Sequence, residues 1–422
     1  MHPGRHVLNV CVDRYRFAVG LAASLLSGRC SVLPSTQTPE VIRQLRSFAP
    51  DVFCLSDDPH NALELPLLQY PQEADASVPA PDDGPDNQRW SVPSIDSERT
   101  AIIIFTSGST GTPIPHRKTW GRLLQCVHAE ARRLPPIDRG GCSIIGTVPA
   151  QHMYGLESTV LLPMQSGCAI SHQRPFFPAD IATVLDSIPE PRVLFSTPVH
   201  LRALLATDIA LPKLQLIVSA TAMLSANTAR EVERRFGCQL LEIYGSTETG
   251  QIATRRTAVE IPWQLWPDVS LQITDTGAQA VGGHVERPAP LADVVELIDR
   301  EHFLLHGRTA DLVNIAGKRS SLGYLNHQLN AIAGVVDGVF FVRDDSDESL
   351  AGGGRLAALV VAPGLDAAAI IQALRERIDP VFLPRPLLLV KQLPRNETGK
   401  LPQQALQAIA AEAAIQQPHL FA

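Results

Sequence analysis

The chain of 422 residues lacks the sequence features of disulfide-bonded, zinc-binding and membrane-inserted proteins. Its seven cysteines are scattered, odd in number and never spaced as C-x-x-C, which argues against a disulfide framework or a zinc site. No basic segment precedes a long apolar core at the N-terminus, and the apolar run at residues 17–27 is too short to span a bilayer. We therefore expect a cytoplasmic protein without membrane insertion.

The chain also lacks a strong charge of either sign. Its formal net charge is −7 and 19% of its residues are charged, so a general surface for polyanions, and nucleic acid as a partner, are not expected. The hydrophobic fraction of 45% is that of an ordinary globular protein, and the length suffices for two or three domains. A local site for a nucleotide remains compatible with this composition.

The first hundred residues alternate between strand and helix patterns. Helical patterns cover residues 16–26 and 39–48, whereas residues 32–33 and 51–55 have the apolar character of short strands. This alternation predicts βαβ units around a largely parallel sheet. Residues 74–99, rich in Pro, Asp and Ser, predict a surface connection.

Further elements are predicted along the rest of the chain. Residues 120–133 have a helical pattern, and residues 291–297 and 303–308 predict a hairpin pair. Near the C-terminus, residues 339–343 and 356–361 predict strands and residues 367–377 a helix, which together make a compact α+β unit.

A run of hydroxyl and glycine residues directly follows a predicted buried strand at residues 102–105. Its glycines permit positive φ, so successive backbone N–H groups can converge on an anion, and its hydroxyls add donors. No Lys-Ser/Thr pair follows as in P-loop NTPases, which indicates a different nucleotide chemistry. The predicted phosphate-binding residues are Thr106, Ser107, Gly108, Ser109, Thr110 and Gly111.

A second motif repeats this logic at residues 240–250, where an apolar strand leads into an aromatic residue, a glycine, hydroxyls and a carboxylate. Tyr244 can stack on a purine, and Thr247 can donate to the α-phosphate. Glu248 offers the hard oxygen that Mg²⁺ prefers. An N-capping role for the hydroxyl residues is the purely structural alternative.

Together the two motifs resemble the phosphate loop and the Tyr-Gly-x-Thr-Glu motif of the adenylate-forming superfamily. That superfamily includes acyl- and aryl-CoA synthetases, luciferases and the adenylation domains of peptide synthetases. The resemblance implies a large α/β N-terminal domain at residues 1–308, abbreviated at its start, and a small mobile α+β C-terminal domain at residues 309–422. It also implies ATP and Mg²⁺ as cofactors, with Gly245 and Ser246 in the nucleotide site.

The resemblance extends to later residues of the nucleotide site. Asp293 is similar to the family's ribose-binding aspartate, and Arg308 is expected to reach ribose or phosphate. Residues 394–401 match the family's terminal motif, whose lysine is Lys400 here. A cation placed between the attacking carboxylate and the α-phosphate lowers their repulsion in the transition state, so Lys400 is the predicted catalytic lysine.

Residues 309–319 resemble the hinge of the family. Ala310 stands where a polar pivot is common, and Asp311 is the alternative pivot. Gly317 has no side chain to obstruct a pantetheine arm. These three residues are the predicted hinge and pantetheine contacts.

Five residues are expected to line the acid pocket by the same resemblance: His152, Tyr154, Ser219, Ala220 and Thr221. For His152, a histidine that merely caps a loop is the structural alternative. Ala220 and Thr221 replace glycines that are usual in the family, and tight packing of strand on helix is their structural alternative.

The phosphate loop departs from the family at Ile114, where a lysine is usual. Lys118 is our candidate for the cation that reaches the β- and γ-phosphates instead, and Arg117 is a weaker alternative. Residues 115–120 and 317–322, with the short chain, are most similar to stand-alone ligases of bacterial aryl-polyene and xanthomonadin pigment clusters.

The implied reaction activates a carboxylic acid with ATP and passes the acyl group to a phosphopantetheine thiol. The pigment-cluster resemblance implies a hydroxybenzoate-like acid and an acyl carrier protein as the acceptor. A CoA ligase for an aryl or fatty acid is the first alternative. A nucleotide-binding protein whose catalysis has decayed is the second, suggested by Ile114 and Ala310.

Overall fold

Two large β-sheets carry the sequence motifs in the structure, a computed structural model. It describes residues 4–34, 36–71, 92–107, 113–275, 277–308, 312–315, 318–343, 356–395 and 401–416. The first elements are β1 (His6–Asn9), α1 (Arg14–Leu26), β2 (Cys30–Leu33), α2 (Pro39–Phe48), β3 (Phe53–Ser56), β4 (Leu67–Gln69) and β5 (Thr100–Ser107).

The elements of the middle of the chain alternate between helix and strand. They are β6 (Pro113–Thr119), α3 (Trp120–Arg133), α4 (Pro135–Asp138), β7 (Ser143–Gly146), α5 (Met153–Leu156), a π-helical turn (Glu157–Leu161), α6 (Leu162–Ser166), β8 (Ala169–Ile170), α7 (Pro178–Ser187), β9 (Arg192–Ser196), α8 (Pro198–Leu205), β10 (Leu216–Ser219), α9 (Ala226–Phe236) and β11 (Gln239–Ser246).

Strands dominate the next stretch, and helices return after it. These elements are β12 (Gly250–Arg255), β13 (Trp263–Leu265), β14 (Val269–Thr274), β15 (Gly277–Gly282), β16 (Ala289–Pro290), β17 (Asp293–Leu297), β18 (His302–Arg308), β19 (Leu312–Ile315), β20 (Lys318–Ser321), α10 (Leu322–Asn330), β21 (Asp337–Val342), β22 (Leu356–Val361), α11 (Ala367–Arg375), a 3₁₀ turn (Pro380–Phe382), β23 (Leu387–Leu389) and α12 (Gln403–Gln416).

The first large sheet has the strand order β4-β3-β1-β2-β5-β6 in the described part of the chain. Its neighbours pair in parallel from β4 to β5, as the βαβ pattern predicts, and β6 pairs antiparallel with β5 at the edge. The strand β6 is absent from the sequence-based expectation. Its antiparallel pairing with β5 brings its first residues beside the end of the phosphate-loop strand.

The second large sheet has the order β17-β18-β13-β12-β11-β10-β9-β7-β8 among the described residues. Strands β8, β7, β9, β10 and β11 are parallel, and the rest of the sheet is antiparallel. Parallel strands present their carboxyl ends at one edge, which is where open α/β sheets bind ligands. The second motif lies at this edge, at the end of β11.

A hydrophobic core between the two sheets holds them together. Ile102 of the first sheet and Phe195 of the second belong to one buried cluster, which also contains Phe17 of α1 and Val127 of α3. Asp13 caps α1 by accepting a hydrogen bond from the backbone N–H of Arg16. The predicted helices at residues 39–48 and 120–133 coincide with α2 and α3.

Residues after 312 form hydrophobic clusters of their own. One cluster joins Val313, α10, α11 and the sheet of β21, β22 and β23, and a second joins that sheet to α12. The predicted strands and helix of this compact α+β unit are present. The domain boundary at residue 308 stays a prediction.

Candidate active site

The two sequence motifs meet through side chains of β6. Thr106 lies near the end of the phosphate-loop strand β5, and its Oγ1 lies 2.9 Å from Nε2 of His116. The same nitrogen lies 3.6 Å from Oε1 of Glu248 in the second motif. His116 therefore lies between a hydroxyl and a carboxylate that the sequence assigns to one nucleotide, although no role was predicted for this histidine.

The second motif forms the tip of a tight hairpin between β11 and β12. The hydroxyl of Ser246 accepts from the backbone N–H of Thr249 at 3.2 Å, and the hydroxyl of Thr249 accepts from that of Ser246 at 3.0 Å. A Cβ on Gly245 would lie 2.2 Å from the carbonyl oxygen of Gly250, so only glycine fits there. These constraints hold Thr247 and Glu248 at the tip, where 40% of the Glu248 side chain is exposed.

The side chain of Lys118 is hydrogen-bonded to the backbone of this hairpin tip. Its Nζ donates to the carbonyl oxygen of Glu248 at 2.9 Å, and the residue is 5% exposed. Burial lowers the pKa of Lys118, and the carboxylates of Glu157, Glu286 and Glu248 act in the opposite direction. The described geometry thus gives Lys118 a structural contact, and its predicted contact with phosphate stays a prediction.

Arg117, the weaker alternative, is exposed on β6. Successive side chains of a strand point to opposite faces, so Arg117 does not share the face of His116 and Lys118.

Replacement of Lys118 by methionine should lower the free energy of unfolding by about 3 kcal/mol at pH 8, because it leaves a buried carboxylate without its cation. The affected carboxylate is Glu157. Burial raises the pKa of Glu157 to about 7, and the charge of Lys118 acts in the opposite direction. At pH 6 Glu157 is mostly protonated in the folded protein, so the loss should be smaller. Urea denaturation of the variant at both pH values measures the difference.

The double variant Lys118→Met/Glu157→Gln is the matched control and should recover much of the lost stability at pH 8. Equal losses at pH 6 and pH 8 would contradict the pairing. The ATP affinity of Lys118→Met tests the predicted phosphate contact separately, and an unchanged affinity would end that prediction.

Tyr244 and Asp293 form a second pair beside the hairpin tip. The Tyr244 hydroxyl donates to Oδ2 of Asp293 at 2.7 Å. The ring of Tyr244 packs against Trp263 and Phe303, with centroid distances of 5.5 and 5.7 Å. The hydrogen bond from Tyr244 fixes Oδ2 of Asp293 and leaves Oδ1 for other donors. The predicted hairpin is present, with Asp293 opposite Arg308 in register.

The two predicted pocket residues near α5 have clear structural roles. His152 caps α5, with Nδ1 accepting from the backbone N–H of Tyr154 at 3.3 Å. The Tyr154 side chain is buried, and its hydroxyl donates to the carbonyl oxygen of Val218 at 3.1 Å. Tyr154 therefore braces the end of β10 from within the core. Contact of either residue with an acid stays a prediction.

The end of β10 carries the other predicted pocket residues. Ser219 is fully buried, and its hydroxyl oxygen has no hydrogen-bond partner within the described ranges. Ala220 is buried, and Thr221 has a φ of 79°, in the left-handed region that favours glycine. This backbone conformation gives a physical reason for glycine at such a position, and here threonine occupies it.

A buried histidine that the sequence assigned no role lies at the same sheet edge. His200 Nδ1 lies 2.9 Å from Oγ1 of Thr197 and 3.3 Å from Oγ1 of Thr147, and its ring meets Phe176 edge-on. Its Nε2 is buried without a hydrogen-bond partner among the described residues. Burial lowers the pKa of His200 to about 4, so the ring is neutral at pH 7.

This histidine should make the protein less stable as the pH falls. Between pH 6.5 and 4 the unfolded chain protonates His200 and the folded protein does not, so the free energy of unfolding should fall by about 1 kcal/mol per pH unit. In His200→Gln the loss between pH 7 and pH 5, measured by urea denaturation, should be smaller by about 1–2 kcal/mol. The exposed His60→Gln is the control; identical pH dependences of His200→Gln and wild type would contradict the assignment.

Several predicted site residues lie outside the described residues: Gly108, Ser109, Thr110, Gly111, Ala310, Asp311, Gly317 and Lys400. The side chains of Ser107 and Arg308 are also outside the description. Among the described residues, no group of three or more His, Cys, Asp or Glu side chains could hold a metal ion. A Mg²⁺ site with one carboxylate and phosphate oxygens needs no such group, and the exposed carboxylate of Glu248 suits it.

Comparison with known proteins defines the class of this chain. A family model described as AMP-binding enzyme matches residues 3–325. A 4-coumarate–CoA ligase of Rhodobacter capsulatus is 30% identical over 311 residues, which cover 72% of this chain and 75% of that protein. A 4-coumarate–CoA ligase of Halorhodospira halophila is 32% identical over 316 residues, covering 72% and 76%.

Solved structures share the fold. ATP-bound MatB from Rhodopseudomonas palustris matches with a TM-score of 0.78 at 19% identity, covering 97% of this chain and 89% of MatB. The o-succinylbenzoate–CoA synthetase MenE of Bacillus subtilis, in complex with ATP and magnesium ion, matches with a TM-score of 0.74 at 17% identity, covering 94% and 88%. The predicted α/β fold of adenylate-forming enzymes is thereby confirmed.

The chain belongs to the AMP-binding enzyme family. It is an AMP-forming acid–thiol ligase with ATP and Mg²⁺ as its cofactors. Within the described part of the chain, no helix is both long and apolar enough to cross a membrane.

Proposed function

We propose that this enzyme activates an aromatic carboxylic acid of the hydroxybenzoate type. The acid and ATP give an acyl-adenylate and pyrophosphate, and a phosphopantetheine thiol then displaces AMP to form a thioester. The observation that carries the first step is the meeting of Thr106 and Glu248, both within reach of His116. Two residues of the proposed nucleotide-binding surface are therefore next to each other.

In this proposal different residues of the chain bind different parts of the nucleotide. The backbone of residues 106–111 and the Thr247 hydroxyl bind phosphates, and Ser246 keeps the hairpin tip in place. Oδ1 of Asp293 accepts from a ribose hydroxyl while Tyr244 holds Oδ2. Glu248 would hold Mg²⁺, which neutralises charge on the phosphates when bound. Arg308 is proposed as a further ribose or phosphate contact.

The reacting groups are proposed to meet at the carboxyl edge of the second sheet. Lys400 is proposed to stand between the carboxylate of the acid and the α-phosphate, where an ammonium reduces repulsion between two anions. The acid itself is proposed to lie between α5 and the end of β10, against His152, Ala220 and Thr221. Tyr154 and Ser219 are buried and are proposed as the floor of this pocket.

Names of relatives support an aromatic acid. Besides the two 4-coumarate–CoA ligases, an indoleacetate–CoA ligase of Aromatoleum aromaticum and a 4-chlorobenzoate–CoA ligase of an Arthrobacter species are 24% and 23% identical to this chain. Each name contains a carboxylic acid with an aromatic ring. We infer the same substrate class here.

The acceptor thiol has two candidates. The similarity of residues 115–120 and 317–322 to the pigment-cluster ligases favours an acyl carrier protein. The names of the relatives favour CoA as the second candidate. Movement of a C-terminal domain about a hinge at Ala310 or Asp311, with Gly317 beside the pantetheine arm, is proposed for either acceptor.

Pyrophosphate release with a panel of acids tests the proposal. Hydroxybenzoates and coumarate should give acid-dependent release, and aliphatic acids of similar length should give little. The best acid is then offered with holo-acyl carrier protein or with CoA, and mass spectrometry identifies the thioester. If none of the acids supports pyrophosphate release although the protein binds ATP, the decayed nucleotide-binding alternative would be favoured.

A further inference from the structure

His116 joins the phosphate-loop strand to the hairpin tip of the second motif. Its Nε2 lies 2.9 Å from Oγ1 of Thr106 and 3.6 Å from Oε1 of Glu248. Thr106 and His116 belong to the paired strands β5 and β6, whereas Glu248 lies at the tip between β11 and β12. One imidazole nitrogen therefore contacts a side chain of each motif.

The pairing of β6 with β5 explains why this side chain reaches both motifs. In the register of the two strands, His116 lies two positions beyond the residue opposite Thr106. Such diagonal neighbours share one face of an antiparallel pair. Lys118 follows on the same face, and its Nζ donates to the backbone carbonyl of Glu248 at 2.9 Å. Strand β6 thus contacts Glu248 at both its side chain and its backbone.

The chemistry of the two neighbours decides which ring nitrogen of His116 carries hydrogen. An ionised carboxylate only accepts hydrogen bonds, so a bare Nε2 facing Glu248 would bring lone pairs together. The hydrogen therefore belongs on Nε2, which donates it to the Thr106 hydroxyl at 2.9 Å. Oγ1 of Thr106 accepts this bond, so its own hydrogen is directed to a different acceptor. The imidazole thus orients Thr106 as a donor.

Both contacts of His116 lie at a surface that a ligand can reach. The side chains of His116 and Glu248 are 18% and 40% exposed. Ion-pair contacts of partly exposed side chains add little to the free energy of unfolding. The arrangement is therefore better explained by what Thr106 and Glu248 bind than by the stability of the fold.

We propose that His116 is a positioning residue for Mg·ATP, which directs the Thr106 hydroxyl to a phosphate oxygen and holds the Glu248 carboxylate beside it for the metal ion. This inference rests on the proposed function, because it takes Thr106 as a phosphate contact and Glu248 as the Mg²⁺ ligand. Proteins usually bind Mg²⁺ with nucleotides through one or two carboxylates and the phosphate oxygens. A residue that sets the spacing between this hydroxyl and this carboxylate therefore affects the affinity for Mg·ATP and not that for metal-free AMP.

Substitutions that keep or remove a donor at the position of Nε2 test the proposal. The side-chain nitrogen of glutamine can lie near the position of Nε2, whereas that of asparagine reaches only the position of Nδ1. His116→Asn should raise the Kd for the Mg²⁺ complex of AMPCPP, the ATP analogue with a methylene group between its α- and β-phosphorus atoms, by about tenfold, since a hydrogen bond to a charged ligand is lost. His116→Gln should stay within about threefold of wild type. Calorimetric titration measures both, and the Kd for metal-free AMP should be unchanged in each variant.

A double-mutant cycle tests whether His116 acts through Thr106. Thr106→Val keeps the shape of the side chain and removes its hydroxyl. In that background, His116→Asn should change the Kd for Mg·AMPCPP by less than about twofold, because the group that it positions is missing. His128→Asn, at an exposed position of α3, is the matched control and should bind as wild type does.

Two results would overturn the role of His116: full additivity of the two substitutions, or a His116→Asn variant that binds Mg·AMPCPP as tightly as wild type. Equal losses in His116→Asn and His116→Gln would also overturn it, because a donor at the Nε2 position would then not suffice. If Thr106→Val and Glu248→Gln bind Mg·AMPCPP as wild type does, the assignment of the nucleotide site fails, and the role of His116 fails with it. If no acid supports pyrophosphate exchange, only the acid-activating part of the proposed function fails, and the titrations still decide the role of His116.

Discussion

Replacement of Lys400 by alanine is expected to slow acyl-adenylate formation by a factor on the order of a thousand, because loss of one preorganised charge contact at a reacting oxygen has effects of this size. The attacking carboxylate and the α-phosphate are both anions, and no other group proposed for the reacting centre is a cation from the protein. Acid-dependent pyrophosphate exchange at saturating ATP measures the loss. Thioester formation from supplied adenylate should be nearly unchanged, since that step does not join two anions.

Lys391→Ala is the control for the Lys400 variant, because Lys391 is an exposed lysine of the same C-terminal part. It should leave both half-reactions unchanged. A Lys400→Ala enzyme that forms adenylate at the wild-type rate would show that another group performs the charge neutralisation. The assignment of residues 394–401 as the catalytic motif would then be wrong.

Replacement of Glu248 by glutamine should lower kcat/KM for Mg·ATP by about a hundredfold, because it weakens the hold on a metal ion that contributes several kcal/mol of charge stabilisation in the transition state. The half-maximal Mg²⁺ concentration should rise at the same time. The substitution keeps the backbone carbonyl that accepts from Lys118, so thermal unfolding should be close to that of wild type. Activity titrated with Mg²⁺ at fixed ATP measures the shift.

The exposed Glu98→Gln removes a carboxylate far from the motifs and should change neither quantity. A Mg²⁺ requirement that is the same in Glu248→Gln and in wild type would exclude Glu248 as a ligand. In that case the contact of Glu248 with His116 at 3.6 Å would be its main interaction.

Elements with regular periodicity and clear ends could be predicted from the sequence. The helices at residues 39–48 and 120–133 have polar and apolar faces that the 3.6-residue period reveals, and both occur with the predicted bounds. The hairpin that places Asp293 opposite Arg308 was also predictable from its two apolar runs. Such patterns depend on neighbours in sequence alone.

Strand β6 could not be predicted in this way. Pro113 and Pro115 and the basic residues after them have the composition of a loop, yet the segment pairs along its length with β5. Proline is tolerated there because β6 is an edge strand of its sheet, where a missing N–H donor need not break the ladder. The contact of His116 with Thr106 could not be predicted for the same reason, because only the pairing of β6 with β5 brings the two residues together.

Long-range packing also decides the roles of single side chains. Lys118 looked like a free cation after the phosphate loop, and the fold instead buries it under the Glu248 carbonyl. The contact between Arg202 and Asp337 joins residues 135 positions apart, which no local pattern encodes. Motifs predict which chemistry is present, and tertiary contacts decide which side chains support it.

The hydrogen bond from the Tyr154 hydroxyl to the Val218 carbonyl ties one side of the proposed acid pocket to the sheet. Evolution or protein engineering can therefore change the other side independently. In the proposed acid pocket, the buried end of β10 is the base, and the α5 cap and the Thr221 turn are the rim. Exchanges at the rim can re-tune which acid is accepted without touching the machinery that cleaves ATP. New substrate preferences are therefore best sought by libraries at residues 152 and 220–223.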